Sequence, residues 1–235
     1  MWFLYSKMKI AFTLLFFLTF YQNGICQPKE ANEKNFGNFI IKVTDEVTQD
    51  YADLINSRID SIWSISSAKL DSSDFEIPKP PLVQVYKRES NIHFFVKPEF
   101  YTQYTVKCDV GREINHILKV DKETLLASNF EPYSFEVVEN KWNFNRHTEE
   151  EFEILEYYKN DIKTICGFEC YRVKIRVKGA AKGLVEMYVT EEIDLNYNPA
   201  FTNRYLLDLF YPLYVKKYSE NHPNDVYKEY IFELE

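Results

Sequence analysis

The sequence predicts a mainly β (α+β) fold, a single domain built largely of antiparallel strands. Eighteen Tyr and 19 Phe stand against only 6 Gly, a composition that favours pleated sheet with an amphipathic surface. Short runs with period-two alternation follow one another through short turns, without helices between them, which is typical of antiparallel sheet and not of βαβ units. One strongly periodic helix near the start completes the prediction.

The first 26 residues are predicted to be a secretory signal peptide. They contain the three parts of such a signal: a short basic region, an apolar stretch, and small residues at positions −3 and −1 before a cleavage point. These parts are Lys7 and Lys9, then residues 10–21, then Gly24 and Cys26 before Gln27. The apolar stretch of about 12 residues is shorter than the roughly 20 that a spanning helix needs. We therefore predict an exported protein, in the periplasm or outside the cell, whose mature domain is 27–235 and has no integral membrane span.

Two details of this segment affect its interpretation. Met8 is an alternative start, because the basic and apolar pattern is cleaner from there than from Met1. Acylation of Cys26 would make the protein a lipoprotein, but the bulky Ile25 stands where such a signal has a small residue. We therefore favour cleavage without a lipid anchor.

The net charge argues against a nucleic-acid partner. Two of the 28 basic residues and none of the 36 acidic ones lie in the signal segment, so its removal lowers the formal charge from −8 to −10. Nucleic acid requires a basic face, and anionic lipid surfaces attract basic segments. The acidic balance is most simply a contribution to solubility.

The helix is predicted near 45–67, with Thr44 or Asp45 as its cap. Apolar residues recur there at spacings of three and four, and polar residues cover the other side. The apolar positions are Val47, Tyr51, Leu54, Ile55, Ile59, Ile62 and Trp63. We expect this stripe, including Trp63, to pack in the core.

Eleven runs are predicted as strands from their alternation. They are 39–43, 82–86, 91–97, 100–108, 113–120, 124–130, 134–139, 152–158, 169–178, 184–189 and 226–234. The stretch 206–218 fits two descriptions, a strand broken at Pro212 or one helical turn followed by a strand.

Three cysteines remain after the signal segment, Cys108, Cys166 and Cys170, and an oxidising compartment predicts one disulfide among them. Along one extended strand Cys166 and Cys170 would lie roughly 13 Å apart, too far for the ~5.5 Å between Cα atoms that a bridge needs. A tight turn at Gly167 would let two adjacent strands bring them together. A bridge from Cys108 to either is the other option.

No motif indicates a catalytic or metal site. The sequence contains no GxSxG, no HExxH and no glycine-rich phosphate loop. The four histidines are scattered, so we predict no metal and no cofactor, and the protein is not expected to be an enzyme. These histidines are His93, His116, His147 and His222.

One region resembles a known family. Residues 161–174, DIKTICGFECYRVK, look like the central motif of the bacterial GLPGLI family of exported proteins, and residues 186–193, EMYVTEEI, fit its next strand. The naming motif itself is absent, since residues 210–215 read FYPLYV and keep only a proline and a leucine. The similarity covers about 152–218. It implies a LolA-like (lipoprotein carrier-like) fold, in which a curved antiparallel sheet forms a half-barrel around one or two helices and leaves an apolar hollow.

This resemblance implies a fold and no chemistry, since a fold hosts many functions. The surplus of aromatic residues favours a module that binds an apolar ligand, a lipid or acyl chain, in the hollow. The residues predicted to line it are Phe94, Tyr104, Tyr188, Tyr230 and Phe232. The alternative is a structural or protein-interaction module of the envelope without a small-molecule ligand.

A row of cations in the run 169–178 has two interpretations. The row is Arg172, Lys174, Arg176 and Lys178. It is either an anion site or a solvated face paired with acids such as Glu186 on neighbouring strands, and we favour the second.

Overall fold

Eleven strands form one antiparallel sheet in the computed structural model, which describes residues 38–69, 78–108, 117–132, 142–143, 152–178 and 183–235. The strands are β1 Phe39–Val47, β2 Tyr86–Val96, β3 Phe100–Lys107, β4 Ile117–Asp121, β5 Leu126–Phe130, β6 Trp142–Asn143, β7 Phe152–Ile165, β8 Phe168–Val177, β9 Gly183–Thr190, β10 Tyr211–Ser219 and β11 His222–Leu234. The helices are α1 Gln49–Lys69 and α2 Arg204–Leu207. The predicted signal segment 1–26 and the predicted strand 134–139 lie outside the described residues.

The chain enters the sheet at its centre. The strand order is β6-β5-β4-β3-β2-β1-β11-β10-β9-β8-β7, so β1 is flanked by both β2 and β11. From β1 the strands run outward to β6, and those from β7 to β11 return from the opposite edge. Because β6 and β7 do not pair, the curved sheet stays open.

Alternation along β1 defines the two faces of the sheet. Phe39, Ile41 and Val43 are buried and define the inner face, whereas Ile40 and Lys42 lie on the outer face. Since residues directly opposite in an antiparallel pair share a face, the register extends this assignment to every neighbouring strand. The inner face is the apolar one.

The inner face is covered by residues 191–210, which join β9 to β10 and which we call the covering segment. Its Tyr197 ring lies 6.1 Å from Phe94 and 5.5 Å from Tyr101, measured between ring centroids. Farther along, Phe201 lies 5.2 Å from Phe152 of β7. Several of its other apolar side chains are buried as well, namely Ile193, Leu195, Leu206, Leu207 and Phe210.

Side-chain amides hold this irregular segment in place. Asn198 is fully buried, and its amide donates to the Pro212 carbonyl oxygen at 2.8 Å. Its own oxygen accepts from the backbone N–H groups of Ala200 and Phe201 at 2.9 and 3.1 Å. Asn203 accepts from the Leu206 N–H and caps α2. Backbone groups that no ladder satisfies are thereby paired.

The helix differs from the prediction in its start and in its packing. Strand β1 continues to Val47, so α1 begins at Gln49, and the residue that accepts from its first turn is Thr48 and not Thr44 or Asp45. Within 49–67 only Ala52 is buried. The described sheet therefore does not wrap around α1; its inner face packs against the covering segment instead.

The mainly β, antiparallel fold is confirmed, and most predicted runs fall on observed strands. Of the two predictions for 206–218, one helical turn followed by a strand is the correct one, because the short helix α2 precedes strand β10. Strand β6 was not predicted, because a strand of two residues is too short to show an alternating pattern.

Arg172, Lys174 and Arg176 of the cation row lie on the outer face, and the two arginines are paired with acids, as expected. The Arg172 guanidinium contacts Asp161 at 2.8 Å and Glu186 at 3.6 Å. Arg176 contacts Glu153 and Glu220. These pairs are partly exposed, so they contribute little to stability.

Candidate functional site

The structure divides the five predicted ligand-contacting residues between the two faces of the sheet. Phe94, Tyr230 and Phe232 lie on the inner face, with 0, 7 and 2% of their surface exposed. The Phe39 ring contacts both Phe94 and Phe232, at 6.2 and 5.9 Å between centroids. Together with the covering segment, these contacts fill the region where the hollow was expected.

Tyr104 and Tyr188 lie on the outer face. Tyr104 is opposite His93 and stacks on it at 4.8 Å with an interplanar angle of 11°. Tyr188 is buried because the end of the β7–β8 hairpin approaches it: its hydroxyl donates to Asp161 at 3.0 Å, and the Lys163 ammonium lies 4.0 Å from its ring. The five residues therefore cannot contact one ligand together.

Tyr101 and Tyr197 are buried in the filled region of the inner face. Burial raises the pKa of Tyr101 to about 12, and it raises the pKa of Tyr197 further still. The Tyr101 hydroxyl is satisfied within the protein, since it donates to the side-chain oxygen of Asn196 at 2.7 Å.

Three apolar residues of α1, called the stripe from here on, are exposed, whereas Ile55, Ile59 and Trp63 of the predicted stripe are partly buried. Leu54, Ile62 and Ile65 lie on one side of the helix at spacings of eight and three, and they are 37, 66 and 59% exposed. Leu82 and Val85, which precede β2, are also exposed. A helix in a globular domain normally buries such a stripe.

The neighbouring side of α1 is bound by the chain itself. The Asn56 amide donates to the Val83 carbonyl at 3.0 Å and accepts from the Val83 N–H at 2.8 Å. Lys79 pairs with Asp60 at 2.6 Å, and its ammonium lies 5.9 Å from the Trp63 ring. Trp63, which was expected in the core, is half-buried beneath this contact.

The first turn of α1 is anchored to strand β11. The Tyr51 ring meets His222 at 5.0 Å between centroids, and the Thr48 N–H donates to the Asp225 carbonyl at 2.9 Å. The helix is thus fixed to the sheet at its start. Its later turns carry the exposed stripe.

The three cysteines among the described residues, Cys108, Cys166 and Cys170, are unbridged. Cys166 and Gly167 form the two-residue turn between β7 and β8 with φ of 54° and 82°, as a type I′ turn requires. The tight turn at Gly167 is therefore present, but Cys170 lies opposite Lys163, so strand pairing does not place the two sulfur atoms side by side. Cys108 is exposed at the end of β3.

These environments predict very different reaction rates for the three thiols. Burial raises the pKa of Cys166 to about 11 and that of Cys170 to about 12, which lowers their thiolate fractions at pH 8. We expect iodoacetamide to modify Cys108 at least about 100-fold faster than Cys170 in the native protein. Peptide mapping after timed pulses measures each rate. Equal rates for Cys108 and Cys170, or a disulfide-linked peptide pair, would contradict this assignment.

Metal and membrane features can be stated for the described residues only. Among them, no three His, Cys, Asp or Glu side chains are grouped so that they could hold a metal ion. Nor does any helix in the described ranges combine the length and apolar character that crossing a membrane requires.

No protein-family model matches the chain, and no curated protein matches its sequence. The resemblance to the GLPGLI family therefore stays a prediction that rests on the short motifs quoted above.

Proposed function

We propose that this protein is an interaction module that binds a partner protein through the apolar stripe of α1. The observation that carries the proposal is a row of exposed apolar side chains beside the partly buried side of α1. The chain's own residues contact one side of α1 through Asn56 and Asp60, while Leu54, Ile62 and Ile65 face solvent. Exposed apolar patches on soluble proteins mark interaction sites.

The geometry of the stripe indicates the kind of partner. One acid and one base lie next to it, Asp50 and Arg58, each four residues from Leu54, whereas Asp60 is paired with Lys79. An amphipathic helix inserts its apolar positions into a complementary groove. The partner that fits is therefore a protein with an apolar groove, and because the sequence predicts export, we place it in the cell envelope.

An apolar small-molecule ligand is the less favoured function. A lipid or acyl chain bound among Phe94, Tyr230 and Phe232 would have to displace the covering segment, because these side chains are already packed within the protein. That displacement would expose Tyr197 and Phe201 and break the hydrogen bonds of Asn198. Protein binding through α1 requires no such rearrangement.

Photo-cross-linking from matched positions on α1 tests the proposal. A benzoylphenylalanine at Ile62 lies on the stripe, and one at the exposed Asp53 lies about 180° around the same helix. We expect the first variant, in cells that produce the protein, to form an adduct with one discrete protein that the second does not capture.

The captured protein is then tested directly with the purified chain. The Ile62→Ser/Ile65→Ser variant should bind it at least about tenfold more weakly, while the free energy of unfolding changes by less than about 1 kcal/mol because both side chains are exposed. Equal adducts from both positions, adducts only with a second copy of this chain or with lipid, or undiminished binding by the double variant would contradict the proposal.

A further inference from the structure

Two lysines occupy directly opposite positions on the inner face. Lys217 of β10 pairs in register with Lys228 of β11, two residues from the pair formed by Val215 and Tyr230. Like charges directly opposite each other destabilise an antiparallel pair. Their placement on the apolar face makes the repulsion stronger, because the effective dielectric constant is lower there than in water.

The two ammonium groups lie near the same aromatic ring. The Lys217 nitrogen lies 5.3 Å and the Lys228 nitrogen 5.7 Å from the centroid of Tyr230. Cations over an aromatic face are attracted to it, but this attraction is smaller than that of a carboxylate partner. Both positive charges therefore lie near the ring, which neutralises neither of them.

One acid lies near the pair, and it contacts Lys228 and a tyrosine hydroxyl. Asp45, opposite Lys228 on β1, approaches its ammonium at 3.8 Å and also accepts from the Tyr86 hydroxyl at 3.2 Å. Arg88 of β2 lies opposite Asp45 on the other side. In the described part of the chain, no carboxylate lies within ion-pair distance of Lys217.

This environment disfavours the charged form of Lys217. Burial, and to a smaller extent the charge of Lys228, lowers its pKa to about 8. The titratable groups placed near it on the inner face are Lys228 and Tyr230 of β11 and Asp45 of β1. A bound anion would supply the missing countercharge and stabilise the charged form.

We propose that Lys217 and Lys228 form a binding site for the carboxylate or phosphate group of a small organic ligand. Two ammonium groups provide several charge-assisted donors for the oxygen atoms of one such group. The Lys228 and Asp45 side chains are 44 and 32% exposed, so the site is open to solvent. Asp45 restricts it to one anionic group, since a polyanion would also meet this carboxylate.

Calorimetric titration of the full chain with inorganic phosphate and, separately, with octanoate tests the site at constant ionic strength. The Lys217→Met variant should bind the preferred anion at least about tenfold more weakly than the unmodified protein. Lys216→Met is the matched control, because Lys216 is the adjacent lysine on the outer face; it should change the affinity less than about twofold.

The outcomes separate the two sources of the anionic group. Tighter binding of octanoate that depends on Lys217 assigns a carboxylate, and tighter binding of phosphate with the same dependence assigns a phosphate. In either case, NMR of the lysine side chains should show the pKa of Lys217 rising on saturation. If neither anion binds, or if Lys217→Met binds as tightly as Lys216→Met, the proposal is wrong; neither result bears on binding through α1.

Discussion

Replacing Phe232 by alanine is expected to lower the free energy of unfolding by about 3–5 kcal/mol, the usual range for a large aromatic side chain removed from a core. Phe232 is 2% exposed, and its ring contacts Phe39 at 5.9 Å and Tyr211 at 6.5 Å between centroids. The cavity cannot collapse easily, because the rings that contact Phe232 belong to both neighbouring strands, β1 and β10. Urea unfolding followed by circular dichroism measures the change.

Ile231 provides the matched control on the same strand. It points to the outer face and is 38% exposed, so Ile231→Ala should cost less than about 1 kcal/mol. Similar costs for the two variants would mean that the inner face is not the packed side of β11, and the assignment of the two faces would be wrong.

Replacing Asn198 by alanine is expected to cost about 3 kcal/mol or more. The change removes the donor to the Pro212 carbonyl and the acceptor of the Ala200 and Phe201 N–H groups, and each buried group left unpaired costs about 1–3 kcal/mol. The loss should be accompanied by faster amide exchange in the covering segment. Urea unfolding and hydrogen exchange measure the two effects.

An asparagine at the surface is the control for this change. Asn224 is exposed and only accepts from Lys216 at 3.4 Å, so Asn224→Ala should alter stability by less than about 0.5 kcal/mol. If Asn198→Ala were equally mild, the covering segment would not depend on its buried amide.

The strands could be predicted because one face of the sheet is apolar. Alternation in 91–97 and 169–178 follows from burying every second side chain, and this pattern can be recognised without knowing the partner strands. The order of the strands could not be predicted in the same way. The register that places β1 between β2 and β11 depends on contacts between residues almost 200 positions apart, which alternation within one strand does not encode.

The covering segment escaped prediction because it has no period. Its buried residues, such as Leu195, Tyr197 and Phe201, occur at irregular spacings, and the segment is held by side-chain amides and not by a backbone ladder. A buried asparagine looks the same in sequence as one in a solvated turn. The density of apolar residues in 191–210 was the only available sign.

The helix was predicted correctly as a helix and incorrectly as a core element. Spacing of three and four shows which side of α1 is apolar, but it does not show whether the chain or another molecule covers that side. For the same reason, residue type alone grouped Tyr104 and Tyr188 with Phe94, although the register places them on the other face. The exposure of Leu54, Ile62 and Ile65 could therefore be seen only in the structure.

The most direct test of the proposed function is to measure how accessible the stripe is in the purified protein and in the cell. A cysteine placed at Ile62 and, in a second chain, one placed at Asp53 are labelled with a maleimide in a background where Cys108 is serine. Both should react rapidly in the purified protein, because both positions are exposed. In cells that produce the protein, the cysteine at position 62 should be protected at least about tenfold relative to the cysteine at position 53, because the proposed partner covers the stripe. Slow labelling at position 62 in the purified protein, or equal labelling of both positions in cells, would contradict the proposal that α1 is the functional surface.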